Sequence, residues 1–231
     1  MFSLSNKNAL VIGGKGKIGF AISCGLARQG AKVYVASRDT YVSSDMKKVF
    51  ESLDIEVFQM DASKEDDVTK VVHQINIDSG DLDILVNSSA WRPLTNFMED
   101  SIENWEMSIK VNSSAIFVPS RIIGKKMAKN KKGSIINISS IYGITAPPMS
   151  IYKDCDFETE PDYPFLKAGC IGLSRYFSSY FAQENVRVNV VAPGGVYNNQ
   201  PKGFTLRYND MVPMKRMASA EDIVGAVLFL A

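Results

Sequence analysis

Short apolar runs alternate with longer amphipathic ones along the whole chain. Residues 9–12, 32–36, 56–60, 83–86, 134–138 and 186–191 read as strands. Between them, 18–29, 41–53, 64–77, 102–129 and 163–183 carry apolar positions at helical spacing. Residues 220–231 close the series as a helix with Ser219 as its cap. Several of the strand runs are apolar at every position rather than at every second one, as strands buried on both faces are. Such strands, separated by helices, predict an α/β fold: a doubly wound parallel sheet in a single domain spanning 1–231. Ligands then bind beyond the carboxyl ends of the strands, so the residues just after each strand carry the candidate chemistry.

A chain of 231 residues is long enough to bury a full core as one domain. Its 26 basic residues against 25 acidic ones exclude broad electrostatic binding to nucleic acid or to an anionic membrane. Cys24, Cys155 and Cys170 show neither metal-ligand spacing nor a disulfide framework, so reduced thiols are expected. With one histidine, His73, read as a surface helix residue, no metal-ligand set is expected. The N-terminal segment lacks a basic region followed by an apolar run, and no apolar stretch is long enough to span a bilayer. A cytoplasmic location is the expectation.

The first strand is followed by Gly13-Gly14-Lys15-Gly16-Lys17-Ile18-Gly19, which opens a helix. Glycines let the backbone turn tightly and approach a pyrophosphate, and the helix N-terminus adds free N–H donors. A glycine run alone is weak; its place between strand and helix makes it specific for a Rossmann-like dinucleotide site. At the end of the second strand an acidic residue would bind the ribose hydroxyls of NAD, but Ser37 and Arg38 stand there. A guanidinium suits a 2′-phosphate, and Lys15 and Lys17 add positive charge. The reading favours NADP(H); NAD(H) stays open, because Asp39 is adjacent. Asp61, with Ala62, follows the third strand, where a carboxylate meets the adenine amine or simply caps a turn. Asn87-Ser88-Ser89-Ala90 follows the fourth strand and is expected to line the cofactor.

Among nine tyrosines only Tyr163 has a lysine four residues on, Lys167, and the spacing puts both on one helix face. An ammonium beside a phenol favours the phenolate, which can take a proton from an alcohol. Ser140, after the fifth strand, can hydrogen-bond the substrate oxygen, and Asn112 in the long helix can hold a water that completes a proton relay. Tyr152 is the rival phenol, closer in sequence to Ser140, but Asp156 lies four residues beyond it and works against a phenolate.

Over essentially its whole length the chain resembles the short-chain dehydrogenase/reductase family. The matching residues are the glycine loop from Gly13 to Gly19, Asp61, Asn87-Ser88-Ser89-Ala90, Val111-Asn112, Asn137-Ile138-Ser139-Ser140, Tyr163-x-x-x-Lys167 and Val188-Asn189-Val190-Val191-Ala192-Pro193-Gly194. The resemblance implies catalytic roles for Asn112, Ser140, Tyr163 and Lys167, with Ser140 preferred to Ser139. It adds Pro193, Gly194 and Val196 to the cofactor-binding residues. It also implies a homodimer or homotetramer built on the long helix and its neighbour.

The chain departs from the family pattern at several places. Ile12 stands where threonine is common, Lys17 replaces a usual glycine, and Asn198 stands where a threonine often contacts the cofactor carboxamide. The serine-to-tyrosine gap is longer than usual, and the sequence read here lacks the family's last C-terminal strand. The longer gap holds an acidic insert, 151–162, with Asp154, Asp156, Glu158, Glu160 and Asp162. With the stretch from Pro193 to Pro201, the insert is similar to a subgroup linked to flagellin modification and surface-polysaccharide biosynthesis. That implies a sugar-derived substrate of the legionaminic-acid type.

The insert is either a solvated loop or a set of acceptors for sugar hydroxyls. Trp91 and Arg92, after the fourth strand, can stack on a sugar ring and hold a phosphate or carboxylate, or simply pack. Residues 196–212 are expected to form a mobile substrate lid. The function expected is an alcohol–ketone oxidoreductase acting by hydride transfer. The competing class is a non-catalytic nucleotide-binding or assembly protein on the same fold.

Overall fold

The computed structural model describes residues 3–96 and 98–231. Met1 and Phe2, which open the N-terminal segment read above, and Phe97 lie outside the described residues. Strands β1 (Asn8–Ile12), β2 (Lys32–Ser37), β3 (Glu56–Gln59), β4 (Ile84–Asn87), β5 (Gly133–Ile138) and β6 (Val186–Val191) form one sheet. Its order is β3-β2-β1-β4-β5-β6, and every pairing is parallel. Helices α1 (Lys17–Arg28), α2 (Ser44–Ser52), α3 (Glu65–Ser79), α4 (Ile102–Lys129), α5 (Asp162–Phe181), α6 (Lys202–Met211) and α7 (Glu221–Leu230) surround it. This is the expected doubly wound, Rossmann-like α/β fold in a single domain.

The runs of consecutive apolar residues are explained by burial on both sides. In β1, Leu10 and Ile12 pack with Val68 and Val72 of α3 and Ile123 and Met127 of α4. The alternate residues Ala9 and Val11 pack with Ile22 and Leu26 of α1 and Ile223 and Val227 of α7. Each fully buried aliphatic side chain contributes roughly 1.5–3 kcal/mol before chain entropy is set against it. A strand polar on alternate positions would leave one of these helix layers without a floor.

Two regions differ from the pattern-based expectation. Helix α2 begins at Ser44 rather than at residue 41, with the Ser43 hydroxyl accepting the Met46 N–H at 3.4 Å. The delay has a cause: the Tyr41 carbonyl accepts a hydrogen bond from Lys15 at 2.7 Å, and the Tyr41 N–H bonds Asp39, so the segment is held as a loop. The region expected as a lid contains α6, whose Phe204 and Tyr208 are buried. At the start of α7, the Ser219 N–H bonds Asp222 while the Asp222 N–H bonds Ser219, so the predicted cap is reciprocal. No helix among the described residues is long and apolar enough to cross a membrane.

Strand order reverses between β1 and β4, and there the loops leaving the two strands diverge. A crevice at such a switch point is where a doubly wound sheet binds its ligand.

Candidate active site

A cleft of about 770 Å³ runs over the carboxyl ends of the strands at this switch point. It is lined by the catalytic candidates Asn112, Ser140, Tyr163 and Lys167 and by the expected cofactor-binding residues, with the exception of Asn87. The last residue of β4 turns inward instead. Its Nδ2 bonds Asn137 Oδ1 at 2.7 Å and Ser120 Oγ at 3.1 Å, and Asn137 Nδ2 bonds Ser174 Oγ at 2.8 Å. Asn87 therefore ties β4 to β5 and α4, a correction to the cofactor contact expected of it. The Asn87 Nδ2 is fully bonded in this network, which positions the strand ends, while its buried Oδ1 has no hydrogen-bond partner among the described residues.

The glycine loop is built for close approach. Gly13 has φ of 77°, and a Cβ there would sit 2.7 Å from the Ser89 nitrogen. A Cβ on Gly19 would lie 2.2 Å from the Gly13 carbonyl oxygen. Helix α1 starts at Lys17 with no side-chain cap and no acidic residue in its first turn. Its first N–H groups and its dipole thus face the cleft, where a pyrophosphate is favoured. The residues present fit a nicotinamide dinucleotide.

At the adenosine end, the cations are not equivalent. Lys15 Nζ bonds the Asp39 carboxylate at 2.5 Å, the Asp39 carbonyl at 2.8 Å and the Tyr41 carbonyl at 2.7 Å. The lysine hydrogen bond holds the Asp39 carboxyl below its usual range. Lys15 is therefore not the free cation expected, because Asp39 neutralises it. Lys17 Nζ rests 5.7 Å from the Tyr197 ring centroid. Arg38 is exposed on the cleft, and its carbonyl is held by Gln59 Nε2 at 3.1 Å. Burial pushes the Asp61 carboxyl up, but bonds from the Ser63 hydroxyl and N–H, at 2.7 and 3.0 Å, bring it below its ordinary value. Asp61 thus serves as a turn cap while its residue also lines the cleft.

At the other end, Tyr163 lies in the first turn of α5 and Lys167 one turn later. Lys167 Nζ donates to the Ile138 carbonyl at 2.9 Å and sits 5.5 Å from the Tyr163 ring centroid. The two serines after β5 separate cleanly. Ser139 Oγ donates to the Lys167 carbonyl at 2.8 Å, which locks its proton into the α5 contact. Ser140 Oγ accepts the Tyr142 N–H at 3.2 Å, so its own O–H remains free to donate into the cleft. Tyr152, the rival phenol, packs against Phe157 and Phe204 and bonds Thr159.

Asn112 also braces the loop that follows β4. Its Oδ1 accepts the Trp91 N–H and its Nδ2 donates to the Trp91 carbonyl, both at 2.8 Å. Nδ2 also bonds the Ser108 carbonyl at 2.9 Å. The side-chain amide braces the loop after β4, with the Nδ2 hydrogens donated to the Trp91 and Ser108 carbonyls. Ser108 Oγ in turn bonds Asp162, the residue before Tyr163, at 2.5 Å.

Of the five acidic residues in the insert, only Glu158 lines the cleft. Asp154 and Asp156 are exposed away from it, and Glu160 and Asp162 are buried. Asp154 and Asp156 thus fit the solvated-loop reading, and Glu158 is the one carboxylate of the five placed to accept from a substrate. The wall is aromatic instead: Tyr152, Phe157, Phe204 and Tyr208 make successive ring contacts 5.3 to 6.0 Å apart. Tyr142 completes it, its phenol pushed well above the usual tyrosine value by burial and by the neighbouring phenols of Tyr152, Tyr208 and Tyr163. Sequence reasoning missed Tyr142, Phe204 and Tyr208. Tyr142 was findable as the second residue beyond Ser140, at a strand's carboxyl end. Phe204 and Tyr208 are an aromatic pair at helical spacing.

Comparison with known proteins agrees with this geometry. A family model described as enoyl-(acyl carrier protein) reductase matches residues 14–231. The chain is 31% identical over 242 residues to the 3-oxoacyl-(acyl-carrier-protein) reductase of Chlamydia muridarum, covering 99% of this chain and 91% of that one. It is 32% identical over 235 residues to the acetoacetyl-CoA reductase of Allochromatium vinosum, covering 96% and 90%. The crystal structure of a short-chain dehydrogenase from Leptospira borgpetersenii with bound NAD+ aligns with a TM-score of 0.88 at 27% identity, over 99% of this chain and 86% of that one. With its glycine cradle, its Tyr163–Lys167 pair and these relatives, the chain belongs to the short-chain dehydrogenase/reductase family of NAD(P)-dependent oxidoreductases.

Proposed function

We propose that the chain interconverts an alcohol and a ketone on a compact, hydroxyl-rich substrate such as a sugar derivative, with Tyr163 as the acid–base. The carrying observation is the placing of Lys167 Nζ, anchored on the Ile138 carbonyl and 5.5 Å from the Tyr163 ring centroid, in the cleft that Ser140 also lines. In reduction the Tyr163 hydroxyl donates its proton to the ketone oxygen; in oxidation the phenolate takes the proton back. The Lys167 ammonium stands one helical turn on, beside the same ring. The Ser140 hydroxyl donates to the same oxygen and fixes its position. When bound, the nicotinamide supplies or accepts the hydride. Asn112 contributes by holding the loop that carries Trp91.

The substrate class rests on the wall of the cleft. Tyr142, Tyr152, Thr159 and Tyr208 offer hydroxyls, Glu158 offers an acceptor, and the aromatic faces suit the C–H side of a sugar ring. This supports a place in surface-glycan or flagellin-modification chemistry, in line with the insert. NADP(H) remains the favoured cofactor, carried by Arg38 alone now that Lys15 is paired. A strip of exposed Phe165, Tyr176 and Tyr180 on α5 with Met107 and Phe117 on α4 supports a homodimer or homotetramer.

A second reading follows the named relatives, two of which act on 3-oxoacyl or acetoacetyl thioesters. The deciding experiment measures turnover of keto sugars and of acetoacetyl-CoA, with NADPH and NADH, by wild type and Tyr163→Phe. Keto-sugar turnover that drops at least ~100-fold in Tyr163→Phe supports the proposal. Equal turnover by the two proteins overturns the assignment of Tyr163. Acetoacetyl-CoA as the better substrate overturns the sugar class. Tighter NADH than NADPH overturns the role of Arg38. Binding of cofactor with no turnover of any substrate favours the non-catalytic class.

A further inference from the structure

Arg92 lies at the reacting end of the cleft, and the mechanism above gives it no task. Its guanidinium carbon sits 4.7 Å from the centroid of the Tyr163 ring. An arginine over an aromatic face gains cation–π attraction while its N–H donors stay unused. Among the described residues no carboxylate lies within ion-pairing distance of it. The other cations lining the cleft have partners: Lys15 on Asp39, Lys17 over Tyr197, and Lys167 on the Ile138 carbonyl. Arg38 lies at the adenosine end. Arg92 is thus the unpaired cation beside the phenol.

Its position is built rather than incidental. Asn112 grips both main-chain polar atoms of Trp91, and Ser108 links Asn112 to Asp162. One hydrogen-bonded chain therefore runs from the residue before Arg92 to the residue before Tyr163. Pro93 follows and restricts Arg92 to extended backbone. Leu94 is buried and anchors the loop beyond. The guanidinium and the phenol are held in register from both sides.

We infer that Arg92 is a specificity-determining residue that recognises an oxyanion, a carboxylate or a phosphate, carried by the substrate close to the carbon that reacts. This rests on the reading of Tyr163 as the acid–base. A guanidinium stays charged at every working pH and pairs with planar or tetrahedral oxyanions through two N–H bonds. Arg92 is exposed at the cleft, so its guanidinium can meet an incoming oxyanion without first breaking an ion pair.

The test compares 2-keto-D-gluconate, D-fructose 1-phosphate and D-fructose, so that carboxylate, phosphate and neutral arms share one carbon-chain length and each charge sits next to the ketone carbon. Binding is read by quenching of Trp91 fluorescence in a Trp105→Phe background, since the chain has two tryptophans. Turnover is read in parallel. One charged arm is expected to bind with a Kd at least ~10-fold below that of fructose. Arg92→Gln is expected to collapse that charged-to-neutral ratio by ~10- to 100-fold. Arg92→Lys keeps the charge but loses the fork, and is expected to fall between. Equal binding of all three arms by wild type overturns the inference. So does a ratio that survives in Arg92→Gln while every arm weakens together, because Arg92 then only steadies Tyr163. Charged-arm binding without turnover supports Arg92 and counts against the reaction. Turnover with no charge preference overturns Arg92 and leaves the reaction standing.

Discussion

At the cofactor end of the cleft, Gly13 and Gly19 cannot take a Cβ without meeting backbone atoms at 2.7 and 2.2 Å. At the substrate end, Phe204 and Tyr208 from α6 close on Tyr152 and Phe157 of the insert, ring against ring. The first site is made of main chain and tolerates almost no change of path. The second is made of side chains on two segments joined chiefly by this packing and by Arg207, which bonds the Ile151 carbonyl at 3.0 Å. Backbone-built geometry suits a ligand whose phosphates are always the same. A side-chain wall can be exchanged residue by residue, which suits a substrate pocket that differs among relatives on one fold.

The sharpest way to break this contrast is to alter the glycine loop. Gly19→Ala is expected to weaken NADPH binding by ~100-fold or more, equivalent to about 2.7 kcal/mol. The added methyl meets a carbonyl oxygen, not a flexible side chain, so the loop itself must move. Fluorescence titration of NADPH reads the loss. Binding within ~3-fold of wild type would show that the loop is pliant and that the distinction between the two ends is wrong.

The substrate wall should respond differently. Phe204→Ala removes the ring that touches Tyr152, Phe157 and Tyr208 together. Phe→Ala in a full core costs ~3–5 kcal/mol, and this satellite cluster is smaller, so about 2 kcal/mol is expected. The loss should be local. Amide exchange should quicken across residues 149–162 and 202–211, while the affinity for NADPH shifts by less than ~3-fold. Faster exchange spread through β1 and α1 would mean that the two ends form one cooperative unit.

The same contrast explains which parts were legible in the sequence. Gly13 and Gly19 could be read because a backbone constraint demands one residue type. Tyr163 and Lys167 could be read because helical spacing puts them on one face. Asn87 was misplaced because strand-end position says nothing about which way the side chain turns, and a network with Asn137 and Ser120 decided it. Lys15 was misread because its partner Asp39 lies 24 residues away in sequence. The acidic insert could be read only as either a solvated loop or a set of acceptors; Asp154 and Asp156 are exposed, Glu160 and Asp162 are buried, and its aromatic residues make the wall. Which side of a loop faces inward is set by tertiary packing, and no local pattern carries it.

The smallest effect should come from the opposite end of the sheet, far from both sites. Asp83, just before β4, accepts the Asn8 N–H at 3.1 Å and lies 3.0 Å from Lys132 and 3.4 Å from Lys7. Burial pushes its carboxyl up, but these bonds and charges outweigh burial and hold it below the ordinary aspartate value. A carboxyl with a depressed folded-state value stabilises fully above its unfolded value, near ~3.9, and loses that contribution as pH falls through the folded value. Both lysines are partly exposed, so screening limits the gain. Asp83→Asn is therefore expected to cost about 1 kcal/mol between pH 5 and pH 8, with the gap from wild type closing below roughly pH 4. Urea unfolding across that range measures it, with the NADPH affinity of the folded protein as the companion reading. A stability gap that persists unchanged at pH 3 would assign the effect to lost packing rather than to the carboxylate. A weakened cofactor affinity in the same variant would show that the amino ends of the strands help set the cleft, and the division between backbone-built and side-chain-built ends would have to extend through the sheet.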